Sequence, residues 1–389
     1  MAVTKKTDAC IALSGRIDSA NSAAVEQEIT ALLDGYTGTE LTLDAEKLEY
    51  ISSAGLRVLL RLRKRYVGLE IVNVASEVYE IFEMTGFTEM MEIRKAYRTL
   101  NVEGCEVIGQ GANGKVYRID PDTIVKVYYN PDSLPEIQRE RELARAAFVL
   151  GIPTAIPYDV VRIESGGYGS VFELLNAKSL AQLIAGGMSV DEAAGISVEL
   201  LKQIHATVVK PGTMPDMKEV ALGWADFLKD YLPAEQHQKL HELVSAVPAD
   251  DHMLHGDYHL KNVMLQNGET LLIDMDTLCH GHPIFELASM FNAYCGYSEL
   301  DHSISRSFLG ISHELAVEFW KKSLSLYLGT DDEAACRAVE EKACVIGYTR
   351  IMRRRIRRDG FSTEEGRREI ENCAAHLAEL LGKVDTLLF

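Results

Sequence analysis

Three side chains, Asp257, Asn262 and Asp274, constrain what this chain can fold into more than any other feature. The first two stand in the run His255-Gly256-Asp257-Tyr258-His259-Leu260-Lys261-Asn262, and the third closes the apolar run Leu271-Leu272-Ile273-Asp274. A carboxylate, then an amide a short loop later, then a second carboxylate held at a strand end, supplies one proton acceptor and two hard oxygen donors. Phosphoryl transfer needs that set, because it depends on positioning and charge neutralisation more than on covalent chemistry. Asp257 is the expected base for an attacking hydroxyl, and Asn262 and Asp274 are the expected Mg²⁺ ligands. Asp276 adds charge or a supporting bond, or is simply a loop residue.

Upstream lies Ile108-Gly109-Gln110-Gly111-Ala112-Asn113-Gly114-Lys115-Val116-Tyr117. Val116 and Tyr117 follow the last glycine directly, which predicts a strand–loop–strand hairpin rather than a strand–loop–helix turn. Gly109, Gly111 and Gly114 would let the backbone close over phosphates without Cβ clashes, or they make an ordinary hairpin turn. After the turn Asp120-Pro121-Asp122, Thr123–Tyr128 returns as a strand with Lys126 in its middle. A cation among apolar residues needs a partner. Nucleotide phosphates and a helix carboxylate would serve.

Ser133 and Glu136 predict a capping box for the next helix, with Pro135 in its first turn and Gly151-Ile152-Pro153 ending it. Glu140 and Glu142 lie on different faces of that helix, so at most one can reach Lys126. Strands around Val160–Ile163 and Ser170–Leu175 flank the turn Ser165-Gly166-Gly167 and complete a small sheet lobe. Glu173 to Leu175 would then be a hinge whose backbone reads a nucleobase edge. No side chain there distinguishes ATP from GTP. The remainder reads mainly helical, with Ser189 and Glu192 boxing a helix that carries Ile196, Leu200 and Ile204.

Composition bounds the function. A length of 389 residues suits two or three domains. The net charge of −18 repels nucleic acid, and it suits a cationic small substrate, a basic protein partner or plain solubility. Against that background the run Arg353-Arg354-Arg355-Ile356-Arg357-Arg358 is either a solvated helix face or a contact for an anion or partner. No apolar run approaches the roughly 18 residues of a membrane span, and the first ten residues lack a signal-peptide core. A cytoplasmic location is expected. The seven cysteines are dispersed, which suggests reduced thiols. The histidines and Cys279 between 252 and 282 raise zinc as a rival, but their spacing fits no closed zinc pattern. His255 is expected to brace its loop, His259 to support Asp257 or lie near the phosphates, and His205 to be a core histidine.

The first hundred residues alternate strands and helices. Cys10–Leu13, Leu41–Leu43 and Leu69–Val74 read as strands. Helical stripes run through Val25, Ile29, Leu32 and Leu33, and again through Leu56, Leu59 and Leu60. Ser76 can cap a third helix that Gly86 stops. Gly15-Arg16-Ile17-Asp18, Tyr50-Ile51-Ser52-Ser53-Ala54-Gly55-Leu56 and Met84-Thr85-Gly86-Phe87 resemble the STAS domain of anti-sigma-factor antagonists. In that family a partner kinase phosphorylates the second serine of Asp-Ser-Ser-Gly at the start of the second helix. Aligned on Gly55, this chain has Ser52 for the Asp, Ser53 for the first Ser and Ala54 for the phosphorylated one. The resemblance leaves Ser52 or Ser53 as acceptor, or a domain that only binds.

From about residue 104 to 300 the chain resembles the aminoglycoside phosphotransferase and choline kinase-like branch of the protein kinase-like fold. The resemblance rests on the glycine loop, Lys126, the His255–Asn262 run, Ile273-Asp274, and Gly281-His282-Pro283-Ile284-Phe285-Glu286-Leu287-Ala288. It implies that Asp257 is the base, that Asn262 and Asp274 bind metal, and that Lys126 holds the α- and β-phosphates. Of the two helix carboxylates it favours Glu142, from its distance to Gly151-Ile152-Pro153. Glu286 stands where the family has Asp. The expected architecture is an α/β STAS-like domain (1–98) and an α+β two-lobed kinase-like domain, with a sheet lobe (101–176) and a helical lobe (177–389). The expected function is ATP- and Mg²⁺-dependent phosphorylation of a small-molecule hydroxyl, with the STAS-like domain regulating it or docking a protein partner. No nucleic-acid or membrane partner is expected. The alternatives are a protein kinase acting on its own or another STAS domain, and a non-catalytic nucleotide sensor.

Overall fold

A computed structural model describes residues 2–111 and 113–389, so Ala112 of the glycine loop lies outside the described residues. The chain forms two compact units, residues 1–104 with 160–169, and residues 105–159 with 170–389. The stretch 160–169, inside the segment expected as the sheet lobe, therefore groups with the first unit.

The first unit is a five-stranded sheet with helices. Ala2–Thr7 (β1), Cys10–Ile17 (β2), Glu40–Ile51 (β3), Gly68–Val74 (β4) and Glu92–Lys95 (β5) lie in the order β1-β2-β3-β4-β5. The first pair is antiparallel and the other three are parallel. Parallel neighbours need crossovers, and Ser22–Leu32 (α1), Ser53–Arg65 (α2), Ser76–Met84 (α3) and the short Phe87–Met90 (α4) lie between them in sequence. Alternate residues Leu41, Leu43 and Ala45 of β3 are fully buried against Val25, Ile29, Leu59 and Phe82. Three local features depart from expectation. Strand β1 has no apolar alternation, and only its ladder to β2 makes it a strand. Strand β3 runs far beyond Leu41–Leu43. Ser76 does not cap α3, because the helix already begins there and Ala75 occupies the cap position. Gly86 does end it, with a left-handed φ of 73°. Thr99–Leu100 (β6) also belongs to this unit.

The second unit opens with the predicted hairpin. Glu106–Gln110 (β7), Gly114–Asp120 (β8) and Thr123–Tyr128 (β9) pair antiparallel in sequence order. Leu134–Val149 (α5) follows, but the Ser133 hydroxyl accepts no helix amide: it is buried without a partner, so the expected box with Glu136 does not form. Asp159–Ile163 (β10) registers Arg162 and Ile163 in parallel with Thr99 and Leu100 of β6, and residues 170–173 of Tyr168–Glu173 (β11) border β9.

The helical part contains Lys178–Ser179 (β12), Leu180–Ala185 (α6), Val190–His205 (α7), Met217–Phe227 (α8) and Ala234–Ser245 (α9). The small strands Met253–Leu254 (β13), Val263–Gln266 (β14), Glu269–Leu272 (β15) and Cys279–His280 (β16) then bracket the Asp257 loop. Ile284–Tyr294 (α10), Ser303–Leu309 (α11), His313–Leu328 (α12), Glu333–Arg357 (α13) and Glu364–Leu381 (α14) complete the unit. Ser189 caps α7 by accepting the Glu192 amide at 3.1 Å, which is the serine half of the expected box; the return bond to the Glu192 side chain is not made. One continuous apolar core joins α5 to the helices and the small strands, including Leu143, Leu201, Tyr258, Leu272, Tyr294 and Trp320. Among the described residues no helix is long and apolar enough to cross a membrane.

Candidate active site

Strand β9 carries Lys126 inward between the buried Val125 and the half-buried Val127. Its Nζ lies 3.1 and 3.3 Å from the two carboxylate oxygens of Glu140 and 2.7 Å from Oδ1 of Asp274. Tyr128 donates its hydroxyl to Glu140 at 2.5 Å. The partner of Lys126 is therefore Glu140 and not Glu142, which is exposed. Helix geometry gives the reason. The buried face of α5 is Ile137, Glu140, Leu143, Ala144 and Ala147, spaced by three and four residues. Glu142 is about 200° around the helix from Glu140. Burial alone would lower the Lys126 pKa, but the charges of Glu140 and Asp274 override it and hold the ammonium well above its ordinary range.

The Asp257 loop is built by backbone bonds. Gly256 has φ +82°, and a Cβ there would stand 2.3 Å from the Thr277 carbonyl oxygen. The fully buried Glu286 accepts the Gly256 amide at 3.1 Å and the His255 amide at 2.5 Å. That explains why a carboxylate is needed at position 286. His255 Nδ1 accepts the Asp257 amide at 3.3 Å while Nε2 faces the Ile273 carbonyl at 3.3 Å, an arrangement that suits a neutral imidazole protonated on Nε2. His255 thus braces the loop as expected. His205 is buried, with Nδ1 2.7 Å from the Tyr327 hydroxyl.

Asp257 itself is half-exposed, and His259 Nε2 lies 3.5 Å from its Oδ2. Burial pushes its carboxyl up. The hydrogen bond from His259 and the charges of His259 and Arg350 outweigh that and hold it at about 2. It is therefore ionised at any ordinary pH.

Asn262 spends its amide nitrogen on the Asp257 carbonyl at 3.0 Å, which leaves the amide oxygen for a ligand. Its backbone carbonyl accepts the Ile273 amide at 3.0 Å, which ties the loop to the strand that carries Asp274. Asp274 adopts a left-handed φ of 64° at the end of that strand. Asp276 accepts from Asn113 Nδ2 at 3.3 Å. Burial and then Asp274 push its carboxyl up to about 7, against the opposing pull of Lys126. Asp257, Asp274 and Asp276 thus crowd together with Lys126 as the nearby fixed cation, an arrangement a divalent ion would relieve. Among the described residues no three His, Cys, Asp or Glu side chains form a metal cage.

In the glycine loop, only Gly114 is demanded by the protein, since a Cβ would meet the Val127 carbonyl oxygen at 2.3 Å. Gly111 has nothing within 4 Å, and Gly109 has only ordinary contact with Val116. In the expected hinge, Leu174 donates its amide to the Asp122 carbonyl at 2.8 Å, and Glu173 is exposed.

Residues 104–313 match the family model of the phosphotransferase enzyme family. The chain belongs to that family. Residues 2–93 match the STAS domain model of the Mlab type. A putative anti-sigma factor antagonist, BtrV, of Bordetella bronchiseptica is 39% identical over 85 residues, covering 21% of this chain and 72% of that protein. Among solved structures, a thermostable mutant of an aminoglycoside phosphotransferase in ternary complex with AMP-PNP and hygromycin B superposes with a TM-score of 0.50 and 12% identity. That match covers 73% of this chain and 95% of the other. A choline/ethanolamine kinase family protein from Mesorhizobium loti gives a TM-score of 0.47 at 15% identity, over 74% of this chain and 90% of the other. The family thus supplies a kinase-like phosphotransferase fold behind a STAS domain.

Sequence reasoning missed Arg350, on α13. Its Nη1 donates to the Gly256 carbonyl at 3.2 Å and to Ser289 Oγ at 2.9 Å, and its guanidinium lies 5.5 Å from the centre of the Trp224 ring. Its partner is a backbone carbonyl, which leaves no signal in the sequence.

Gly256→Ala is the first expected outcome. The left-handed backbone would cost roughly 1–2 kcal/mol, and the clash with Thr277 would displace Asp257. Thermal unfolding should come at a lower temperature, and phosphoryl transfer should fall about a hundredfold, as misplacement by about 1 Å does.

Proposed function

We propose that this phosphotransferase moves the γ-phosphoryl group of ATP or GTP, with Mg²⁺, to the hydroxyl of a small molecule. The observation that carries the reading is Lys126, held at once by Glu140 and Asp274 beside an ionised Asp257. Lys126 would move its hydrogen bond from Asp274 to the α- and β-phosphates, which frees that carboxylate. Asn262 and Asp274 would hold Mg²⁺, which supplies charge neutralisation to the phosphates. Gly109, Gly111 and Gly114 would cover the phosphates, and the Glu173 and Leu175 backbone would read the base. Asp257 takes the proton from the acceptor hydroxyl as its oxygen attacks the γ-phosphorus. The bond from that phosphorus to the β–γ bridging oxygen breaks, and the nucleoside diphosphate leaves with the electron pair. Glu142 has no part in this.

The STAS domain would regulate the reaction or dock a protein, in a cytoplasmic setting. Its α2 starts as the family motif does, but Ser52 Oγ is used as the helix cap, accepting the Ala54 amide at 3.3 Å. Ser53 is exposed in the first turn. That exposure favours Ser53 over Ser52 as a phosphate acceptor, should the enzyme or another kinase modify this domain.

The test is nucleoside diphosphate release by the purified chain with Mg-ATP or Mg-GTP and a mixed pool of small alcohols. Release should require the alcohols and should stop with EDTA. Release that is indifferent to both would refute the reading.

A further inference from the structure

Beside the Asp257 loop lies a cavity of about 310 Å³, within the roughly 300–1,000 Å³ of small-molecule sites. Its walls include the rings of Tyr297 and Phe308 and the side chains of Arg354, Arg355 and Arg358, together with Ile351. Two contacts tie it to the catalytic loop. The Phe308 ring packs edge-on against His259, centroids 5.0 Å apart, and Lys261 Nζ lies 5.6 Å from the centre of the same ring. Arg350, which donates to the Gly256 carbonyl, precedes Arg354 by one turn of α13, about 6 Å along the axis. The cavity therefore begins within the length of a small metabolite from the base.

Charge decides what fits. The cavity also holds Glu365 and Glu369, but Arg355 occupies both, at 2.6 Å each. A cationic guest would have to compete with that guanidinium. The Arg354 guanidinium carbon lies over the Tyr297 ring, 4.9 Å from its centre, a cation–π contact that does not consume its N–H donors. Among the described residues neither Arg354 nor Arg358 forms an ion pair. Basic residues in a last helical turn complement the helix dipole. That accounts for their place in the sequence but not for the aromatic walls or the closeness to Asp257.

We propose that this cavity is the acceptor site and that it takes a hydroxylated anion, its carboxylate or phosphate on Arg354 and Arg358 and its body between Tyr297 and Phe308. The proposal rests on the phosphotransfer reading above, and it runs against the cationic acceptor that the overall charge of −18 suggested.

The test uses the whole chain with three hydroxylated anions (glycerate, gluconate and glycerol 3-phosphate), two cations (choline and ethanolamine) and neutral glycerol. Binding is followed by saturation-transfer NMR and turnover by ADP release, in wild type and in the double variant Arg354→Gln, Arg358→Gln. At least one anion should bind and drive ADP release. In the double variant its KM should rise roughly ten- to a hundredfold, the worth of one to two charge-assisted hydrogen bonds, with a much smaller change in kcat. Mg-ATP binding, as a check on folding, should be retained. Binding by none of the anions, turnover of the cations alone, or an unchanged KM in the double variant would overturn the proposal while leaving the kinase reading intact. Anion binding without ADP release from any acceptor would overturn the acceptor role and the kinase reading together.

Discussion

Asp257→Asn should reduce phosphoryl transfer by about 10²- to 10⁴-fold, the usual contribution of a positioned general base, and leave nucleotide binding nearly intact. The amide matches the carboxylate in size, so the loop bonds from Glu286, His255 and Arg350 survive. What is lost is the ability to take the hydroxyl proton. The wild-type carboxyl sits at about 2, below the ordinary carboxylate value near 3.9. Its basic form is therefore full above that ordinary value and is lost only as pH falls towards 2. Any fall in wild-type rate between pH 7 and 5 must come from another group. Rates with a saturating acceptor, paired with fluorescent-nucleotide binding, check both halves. A variant that lost rate and nucleotide binding together would point to a structural role instead.

Lys126→Met should be costly in a different way. The lysine side chain is 16% exposed and that of Glu140 only 5%. Removing one partner of a buried pair costs about 3–5 kcal/mol, because a charge is left without compensation. The lower end is expected here, since Glu140 keeps the Tyr128 hydroxyl. The raised lysine pKa means that this stabilisation is complete below about pH 10.4 and is lost only as pH rises through the folded-state value. Glu140→Ala should also destabilise the fold, whereas Glu142→Ala should stay within about 0.5 kcal/mol, as exposed substitutions do. Urea unfolding at pH 7 checks all three. A large loss in Glu142→Ala with none in Glu140→Ala would contradict the pairing. Transfer activity should vanish in Lys126→Met and persist in Glu142→Ala.

The difference between these two glutamates shows how far the sequence could be read. The order of glycine loop, strand lysine, Asp257, Asn262 and Asp274 was legible because each demands a particular chemistry at a particular place. Glu140 was legible too, in the spacing Ile137, Glu140, Leu143, Ala144, Ala147. The resemblance favours Glu142 on its distance to Gly151-Ile152-Pro153 alone and takes no account of that apolar stripe. Ser133 and Glu136 carried the letters of a capping box, but tertiary packing buried the serine hydroxyl without using it. Strand β1 could not be seen, because an edge strand with exposed lysines has no alternation to betray it. Arg350 and the cavity around Arg354 depend on where α13 crosses the Asp257 loop. The arginine run marked the helix as unusual for an acidic chain, but only the fold placed it beside the base.

The most direct test of the central claim is the fate of the γ-phosphate. Phosphorus-31 NMR of the chain with Mg-ATP and a pool of small hydroxylated acids should show ADP and a new phosphomonoester growing in equal amounts, with neither in Asp257→Asn. ADP appearing with inorganic phosphate alone, or phosphate found only on the protein itself, would contradict it.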